Sequence, residues 1–177
     1  ATVAAAAIEA GADMINDIWG LQYDDKMAGV IKSGGVACCL MHNRKEAVYQ
    51  NLIEDVYRDL EKTAGLAAEA GIEKERVILD PGIGFAKTHE ENLKLLASLN
   101  AFLDLDYPLL LGASRKSVIG NALDLPADER IEGTLVTTVL AVMAGYSFVR
   151  VHDVKENKRV IQMTKAIKEQ EGCDGLY

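Results

Sequence analysis

The sequence lacks any apolar run of the length that a membrane span requires. Such a span needs about 18 to 20 consecutive apolar residues, and no run in the 177 residues approaches that length. The opening residues, ATVAAAAIEAGAD, also lack the basic lead-in of a secretory signal. These two absences predict a cytoplasmic protein with no membrane partner.

Basic residues and cysteines are also scarce. The 19 Lys and Arg residues are outnumbered by 27 Asp and Glu residues, and the formal net charge is -8. We therefore expect no nucleic-acid partner, because phosphate neutralisation needs basic clusters. Of the three cysteines, Cys38 and Cys39 lie in the apolar run VACCLM and Cys173 lies in a polar tail. An odd number of cysteines without metal-binding spacing fits a reducing compartment.

What the sequence does contain is the composition of a folded domain, with 49% hydrophobic and 26% charged residues. One domain covering residues 1–177 is expected. Short apolar runs alternate with segments of helical period, as in parallel strands covered on both faces. The predicted strands are Met14 to Ile18, Val36 to Met41, Val77 to Leu79, Pro108 to Leu111 and Phe148 to Val151. The predicted helices are Thr2 to Ala10, Asp24 to Ser33, Asn51 to Ala70, Glu90 to Ser98, Asp128 to Ala144 and Lys155 to Glu169.

This alternation predicts an α/β fold of about five βα units, and it allows two architectures. Open doubly wound sheets and (β/α)8 barrels produce the same pattern, and periodicity does not separate them. A complete barrel usually takes about 250 residues. The barrel interpretation therefore makes this sequence a partial barrel, the C-terminal portion of a longer one.

Polar residues cluster where the predicted strands end. The segments INDIWG, CLMHN, LDPGIGF, GASRKS and VRVHD place them at the edge where α/β folds bind ligands. Asp80 is the clearest candidate for ligand binding, because its carboxylate can accept hydrogen bonds from a flat ligand with adjacent N–H groups. Gly82 and Gly84, which follow it, let the loop backbone come close to that ligand. The alternative is an aspartate that caps its own loop. We reject a dinucleotide motif, because Lys87 stands where G-x-G-x-x-G requires its third glycine.

Three further segments suggest a ligand. Asn16 lies within INDI, where a buried amide needs a partner from a ligand or a neighbouring loop. The GASRKS loop places two cations beside small residues, which suggests an anionic or electron-rich ligand or, alternatively, a solvated basic loop. Arg150 and His152 are spaced i, i+2, so on a strand they share one face and suit a phosphate or diphosphate. A salt-bridged arginine and a core histidine are the alternative.

A metal site built from His42, Asp80 and His152 is a further hypothesis. No H-x-H, H-E-x-x-H or paired-cysteine spacing supports it, and three histidines are unremarkable in a chain of this length. We therefore predict no metal ligand within this sequence.

In combination and in this order, INDIWG, DPGIGFAK, GASRKSVIG and VRVHDV resemble the dihydropteroate synthase family of folate biosynthesis, over nearly the whole chain. The resemblance implies a (β/α)8 TIM barrel of the pterin-binding type, with these strands as its fourth to eighth. It implies that a pterin carrying a methyl diphosphate is joined to para-aminobenzoate, with the diphosphate leaving before the amine attacks. The implied pterin-binding residues are Asn16, Ile18, Met41, Asp80, Phe85, Gly112, Lys116 and Arg150. Arg150 and His152 would hold the diphosphate, and Ser114 and Arg115 would lie toward para-aminobenzoate, where sulfonamides compete in this family.

The same resemblance implies features that this sequence does not contain. Family members carry an asparagine ligand for Mg²⁺, two mobile loops and a further pterin-facing aspartate ahead of the region that Ala1 matches. We therefore expect a Mg²⁺ cofactor whose asparagine lies upstream of Ala1, and an incomplete active unit in this chain.

A homodimer through late helices is also implied. One candidate contact is the apolar helix IEGTLVTTVLAVMAG, through Thr134, Leu135, Thr138 and Val142, with ordinary packing as the alternative. Two rival functions stay open: a corrinoid-type methyltransferase with the same pterin pocket but no diphosphate, and a non-catalytic truncated barrel.

Overall fold

A computed structural model describes residues 1–170, so Cys173 lies outside the described residues. Strands and helices alternate there as the sequence pattern predicts. The strands are β1 (Met14–Asp17), β2 (Ala37–Met41), β3 (Val77–Asp80), β4 (Leu110–Leu111) and β5 (Phe148–Val149). The helices are α1 (Thr2–Glu9), α2 (Met27–Gly34), α3 (Leu52–Glu69), α4 (His89–Ala97), α5 (Ser117–Leu123), α6 (Ile131–Ala144) and α7 (Val154–Lys168). Short 3₁₀ segments occupy Lys74–Arg76, Leu99–Leu105 and Ala127–Glu129.

The strands are parallel and follow one another in chain order. β1 pairs with β2 and β2 with β3. A bridge between Leu79 and Leu109 leads on to β4, which pairs with β5. A doubly wound sheet reverses its strand order at a switch point, whereas a barrel keeps the order of the chain. The observed order therefore favours the barrel type over the doubly wound alternative.

Helix α3 shows how the sequence builds the layer behind the strands. Its buried residues recur every three or four positions and form one apolar stripe, which includes Val56, Leu60 and Ala67. The stripe packs into the same core as Leu40 of β2. Gly71 follows the helix with a φ of +75°, a conformation that glycine adopts without strain. The helix thereby fixes the strands whose ends carry the candidate site.

Two apolar clusters lie on opposite faces of the strands. The larger lies between strands and helices and includes Cys38 and Leu79. The smaller consists of Cys39, Ile78 and Leu110 on the inner face, because successive side chains of a strand point to opposite faces. Burial raises the pKa of the Cys38 thiol to about 11, and a protonated, buried thiol is unreactive. Cys38 and Cys39 are both buried, as the apolar run VACCLM predicts.

Three helices differ most from the prediction, and one of them is α6, which begins at Ile131 rather than at Asp128 because Ala127–Glu129 forms a separate 3₁₀ segment. Helix α2 begins at Met27 rather than at Asp24, because the Asp24 carboxylate accepts the backbone N–H of Lys26 in a turn. The apolar pattern does not predict α5, whose seven residues are too few to show a helical period. None of the helices between residues 1 and 170 combines the length and the apolarity that crossing a membrane requires.

Two residues of the predicted contact surface on α6 are buried within the chain. The Thr134 hydroxyl accepts a backbone N–H, and the Thr138 hydroxyl donates to Asn157 Oδ1 at 2.6 Å. Ordinary packing, the alternative, therefore accounts for these threonines. The apolar residues that α6 exposes are Val136, Leu140 and Met143.

Candidate active site

Two of the predicted pterin-binding residues lie at the C-terminal end of β1, Asn16 within the strand and Ile18 directly after it. Asn16 and Ile18 are exposed, whereas Asp17 between them is buried. Asn16 is therefore not buried, and the partner that the sequence predicts for its amide comes from another part of the chain, Arg150, whose Nη1 donates to Asn16 Oδ1. The Asp17 carboxylate accepts the backbone N–H groups of Trp19 and Leu21. These two hydrogen bonds fix the loop that follows β1.

The guanidinium of Arg150 brings distant parts of the chain together. Its Nη1 donates to Asn16 Oδ1 at 2.7 Å, and its Nη2 lies 3.8 Å from Asp80 Oδ2. A Cβ added to Gly112 would lie 2.9 Å from the same Nη2, so the absence of a side chain there lets the guanidinium approach. The ends of β1, β3, β4 and β5 therefore converge on one cation.

Asp80, the last residue of β3, is only 1% exposed. Its Oδ1 accepts the N–H of Gly82 at 2.8 Å, so the loop-capping alternative is part of the geometry, while its Oδ2 faces Arg150. Burial raises the pKa of the Asp80 carboxyl, and the Gly82 hydrogen bond and the charges of Lys116 and Arg150 oppose that rise. A carboxylate held among these groups is suited to accept hydrogen bonds from a flat heterocycle.

Lys116 and Phe85 form one wall beside Asp80. The Lys116 ammonium lies 4.5 Å from the centroid of the Phe85 ring and donates to the carbonyl of Ile83. Burial lowers the pKa of Lys116, and the charge of Asp80 opposes that change. Met41 is the register partner of Asp80, so both lie at the same level of neighbouring strands. The structure thus brings these predicted residues together around the end of β3.

Ser114 and His152 form a separate pair. The Ser114 Oγ lies 2.9 Å from His152 Nδ1 and accepts the His152 backbone N–H at 3.2 Å. The prediction that Arg150 and His152 share one face of a strand is wrong, because β5 ends at Val149. The β4–β5 ladder is only two residues long, so the chain is free to turn the two side chains toward different partners. Their joint role at a diphosphate stays a prediction.

The Arg115 side chain is paired within the chain. Its Nη2 and Nε donate to the two carboxylate oxygens of Asp153 at 2.6 and 3.1 Å. Its backbone has a φ of +58°, its N–H donates to Thr134 Oγ1, and its carbonyl accepts from Arg130. The predicted role of Arg115 and Ser114 toward para-aminobenzoate stays a prediction. The observed role of Arg115 is to join the β4–α5 loop to the start of α7.

A family model described as "Pterin binding enzyme" matches residues 1–152. The chain belongs to this pterin-binding enzyme family. The dihydropteroate synthase of Clostridium beijerinckii is 54% identical to it over 168 residues, and that of Bacillus subtilis 48% over 172 residues. These matches cover 94% and 97% of this chain but 62% and 60% of the two relatives. The chain therefore spans about three fifths of the length of these curated relatives.

Solved structures give the same family likeness for the fold. The crystal structure of a Clostridium difficile dihydropteroate synthase in the presence of pteroic acid has a TM-score of 0.92 at 44% identity. The match covers 94% of this chain and 64% of that crystal-structure chain. The Thermus thermophilus enzyme in complex with 6HMPPP has a TM-score of 0.87 at 36% identity, with coverage of 93% and 66%. The resemblance to dihydropteroate synthase and the α/β fold of its TIM barrel are confirmed.

Sequence reasoning overlooked one cation of this chain. It treats Lys87 only as the residue that breaks a dinucleotide motif. The structure places the Lys87 Nζ 2.9 Å from His42 Nδ1, 3.1 Å from the Gly82 carbonyl and 3.0 Å from the Phe85 carbonyl. His42 in turn contacts Asp59 of α3 at 3.1 Å. The available signal was a lysine directly behind a glycine-rich loop, but no spacing links it to the other two residues.

No group of three or more His, Cys, Asp or Glu side chains within residues 1–170 is placed to hold a metal ion. The hypothesis that joins His42, Asp80 and His152 is wrong, because His42 contacts Asp59 while His152 contacts Ser114. The Mg²⁺ ion that the resemblance implies finds no such ligand set among the described residues of this chain. The Mg²⁺ cofactor stays a prediction.

Proposed function

We propose that this chain forms the pterin-binding part of a dihydropteroate synthase. That enzyme condenses 6-hydroxymethyl-7,8-dihydropterin diphosphate with para-aminobenzoate and releases 7,8-dihydropteroate and pyrophosphate. The observation that carries the proposal is the position of the Arg150 guanidinium between Asn16 Oδ1 and Asp80 Oδ2. In this arrangement two oxygen acceptors, suited to a flat ring rich in N–H donors, lie beside a cation suited to a diphosphate. The identity of 48 to 54% with dihydropteroate synthases supports it.

The proposed roles follow the contacts of each side chain. Asp80 accepts hydrogen bonds from adjacent N–H groups at the pterin edge, and Asn16 offers an amide to the same edge. Lys116 and Phe85 close one side of the ring slot, where the ammonium already lies over the aromatic face. Arg150 lies against the ring and, with its remaining N–H groups, faces the diphosphate.

The proposed reaction requires stabilisation of the negative charge that develops on the leaving diphosphate. The bond between the pterin methylene carbon and the diphosphate oxygen breaks, and its electron pair leaves with the diphosphate. The amine nitrogen of para-aminobenzoate then forms the new C–N bond, and its proton passes to solvent. Because negative charge develops on the diphosphate, the cationic Arg150 and His152, which is near it in the chain and contacts Ser114, are proposed to stabilise that step. The chain needs to supply little general-base catalysis.

Equilibrium titration of the chain with the pterin diphosphate tests the proposal. Binding, rather than turnover, is the direct measurement, because the chain spans about three fifths of its relatives. We expect Asp80→Ala and Arg150→Ala to weaken binding by about ten- to hundred-fold, because each removes a charged hydrogen-bonding partner. Arg159→Ala, on the exposed side of α7, is the matched control and leaves affinity unchanged.

Two outcomes would contradict the proposal. A wild-type chain that does not bind the pterin diphosphate, or variants that bind it as well as the control, would remove the assigned site. Tighter binding of a methylated tetrahydrofolate than of the pterin diphosphate would instead favour the corrinoid-type methyltransferase.

The family likeness also motivates the remaining parts of the proposal. We propose that Mg²⁺ is a cofactor of the whole enzyme and that the enzyme works as a homodimer in the cytoplasm. Titrations with Mg²⁺ and with EDTA test the first part, and sedimentation velocity tests the second.

A further inference from the structure

The Lys87 ammonium is held by three acceptors beneath the loop that follows β3. They are His42 Nδ1 at 2.9 Å, the Gly82 carbonyl at 3.1 Å and the Phe85 carbonyl at 3.0 Å. An ammonium has three N–H donors and no acceptor, so these partners use its full hydrogen-bonding capacity. Lys87 therefore has no N–H left for a ligand, and any effect that it has on the site passes through the loop.

The ring of His42 is itself fixed from the other side. It is 2% exposed, and its Nε2 lies 3.1 Å from Asp59 Oδ2. Because Nδ1 accepts from the ammonium, Nε2 carries the proton and donates to the carboxylate, as in a neutral imidazole. Burial lowers the pKa of His42, which keeps that neutral form. Arg44 donates to the same Asp59 oxygen at 2.6 Å and completes the chain of contacts.

The loop above the ammonium needs such support. Gly82 and Gly84 have φ values of +74° and +81°, and Ala86 has a φ of +47°, which strains a residue with a side chain. The Gly82 N–H donates to Asp80 and the Gly84 N–H donates to Asn92 Oδ1 at 2.6 Å. The Lys87 ammonium donates hydrogen bonds to two carbonyls of the same loop. The loop backbone is thus fixed from both its donor and its acceptor sides.

We infer that Lys87 is a positioning residue, which together with His42 and Asp59 holds the loop from Gly82 to Phe85 in the shape that binds the pterin. The inference rests on the proposed function, because that function gives Asp80 and Phe85 their ligand. It assigns Lys87 no contact with substrate. Burial lowers the pKa of Lys87 to about 7, so this ammonium reduces the stability of the folded chain. A residue that served stability alone would not have that property.

Lys87→Met and the control Lys94→Met test the inference in the full chain. Lys94 is an exposed residue of α4, so its variant removes an equal charge near the same loop. For Lys87→Met we expect the amide exchange of Gly82, Gly84 and Phe85 to accelerate by about ten-fold or more, because the loop loses its anchor. The dissociation constant for the pterin diphosphate rises by a similar factor. The urea midpoint at pH 7 is unchanged or higher, because the buried charge is gone.

Conservative variants provide the second measurement. Lys87→Arg keeps the charge and restores part of the affinity and of the amide protection. His42→Asn keeps an acceptor near the position of Nδ1 and loses the donor to Asp59, whereas His42→Gln places its amide near Nε2 and loses the acceptor for Lys87. We therefore expect His42→Gln to weaken pterin binding more than His42→Asn does.

The outcomes separate this inference from the proposed function. A wild-type chain that does not bind the pterin diphosphate overturns the proposed function and the inference that rests on it. A wild-type chain that binds, with Lys87→Met binding equally well or showing unchanged exchange, overturns the inference alone. A Lys87→Met chain whose stability and affinity fall together would assign Lys87 an ordinary structural role, which also overturns the inference.

Discussion

The loops that follow β3 and β4 are both fixed by cations, yet the cations differ in kind. After β3, a shielded ammonium at Lys87 binds two carbonyls and a histidine ring. After β4, the guanidiniums of Arg115 and Arg130 bind a carboxylate and two carbonyls. An ammonium is more strongly hydrated than a guanidinium, so its burial opposes folding more. The comparison indicates that the cation holding the loop after β3 lowers the free energy of unfolding while shaping the site. The cations holding the loop after β4 lower it little.

Gly82→Ala should give the largest effect, because it breaks the loop after β3 at its tightest point. An added Cβ would lie 2.1 Å from the backbone oxygen of His42, and φ is +74°. The His42 N–H is itself bonded to the carbonyl of Asp80, so neither strand end can easily move. We expect a loss of about 3 kcal/mol or more in the free energy of unfolding, measured by urea titration.

Gly84→Ala is the matched control in the same loop. Its φ is +81°, but the added Cβ would meet the Cδ of Lys116 at 3.1 Å, and that flexible side chain can shift. Backbone strain alone then predicts a loss of about 1 to 2 kcal/mol. Equal losses for the two variants would contradict the view that contact between Gly82 and the His42 backbone, just after β2, limits this loop.

The pH dependence of stability should show the buried ammonium directly. The pKa of Lys87 falls from an ordinary 10.5 to about 7, because burial opposes the charge. Between these values the unfolded chain binds one more proton at this site than the folded chain, so the free energy of unfolding rises with pH. The charged and titratable groups that face Lys87 are Asp80, Lys116, Glu91, Arg44 and His42.

Lys87→Met isolates that contribution from the titration of its neighbours. We expect the stability of the wild type relative to Lys87→Met to rise by about 2 kcal/mol between pH 7 and pH 10, a value discounted for partial solvent access. Urea titrations at several pH values measure the difference, and Lys94→Met should follow the wild type. A constant difference over this range would mean that Lys87 keeps its ordinary pKa, and the contrast between the loops would weaken.

The ends of the strands could be predicted from sequence, but the contacts between loops could not. The run VILDPG predicts that a strand delivers Asp80 to the rim, and parallel pairing then brings Asn16 to the same edge. Lys87 and His42 are 45 positions apart, and His42 and Asp59 are 17 positions apart. The apolar spacing of α3 shows which of its faces is buried, but which strand end Asp59 meets depends on strand register and helix packing, and these leave no spacing in one sequence.

Arg130→Ala tests how firmly the loop after β4 is held. Arg130 donates to the carbonyls of Leu125 and Arg115 at 2.9 and 2.8 Å. Its removal leaves both carbonyls without a charged donor, and we expect a loss of about 1 to 2 kcal/mol in unfolding free energy. Arg130→Lys, which keeps the charge but not the fork, should recover part of that loss. A loss as large as that of Gly82→Ala would show that the two loops are equally constrained.

The ion pair of Arg115 and Asp153 should give the smallest effect, and it sharpens the comparison most. Its two side chains are 33% and 19% exposed, so solvent and salt screen the pair. The hydrogen bond from Arg115 lowers the pKa of Asp153, so the pair weakens when acid protonates the carboxylate. A double-mutant cycle with Arg115→Ala and Asp153→Ala should therefore give a small coupling that shrinks in added salt. A coupling that salt leaves unchanged would mean that the β4 loop, like the β3 loop, depends on a charge shielded from solvent.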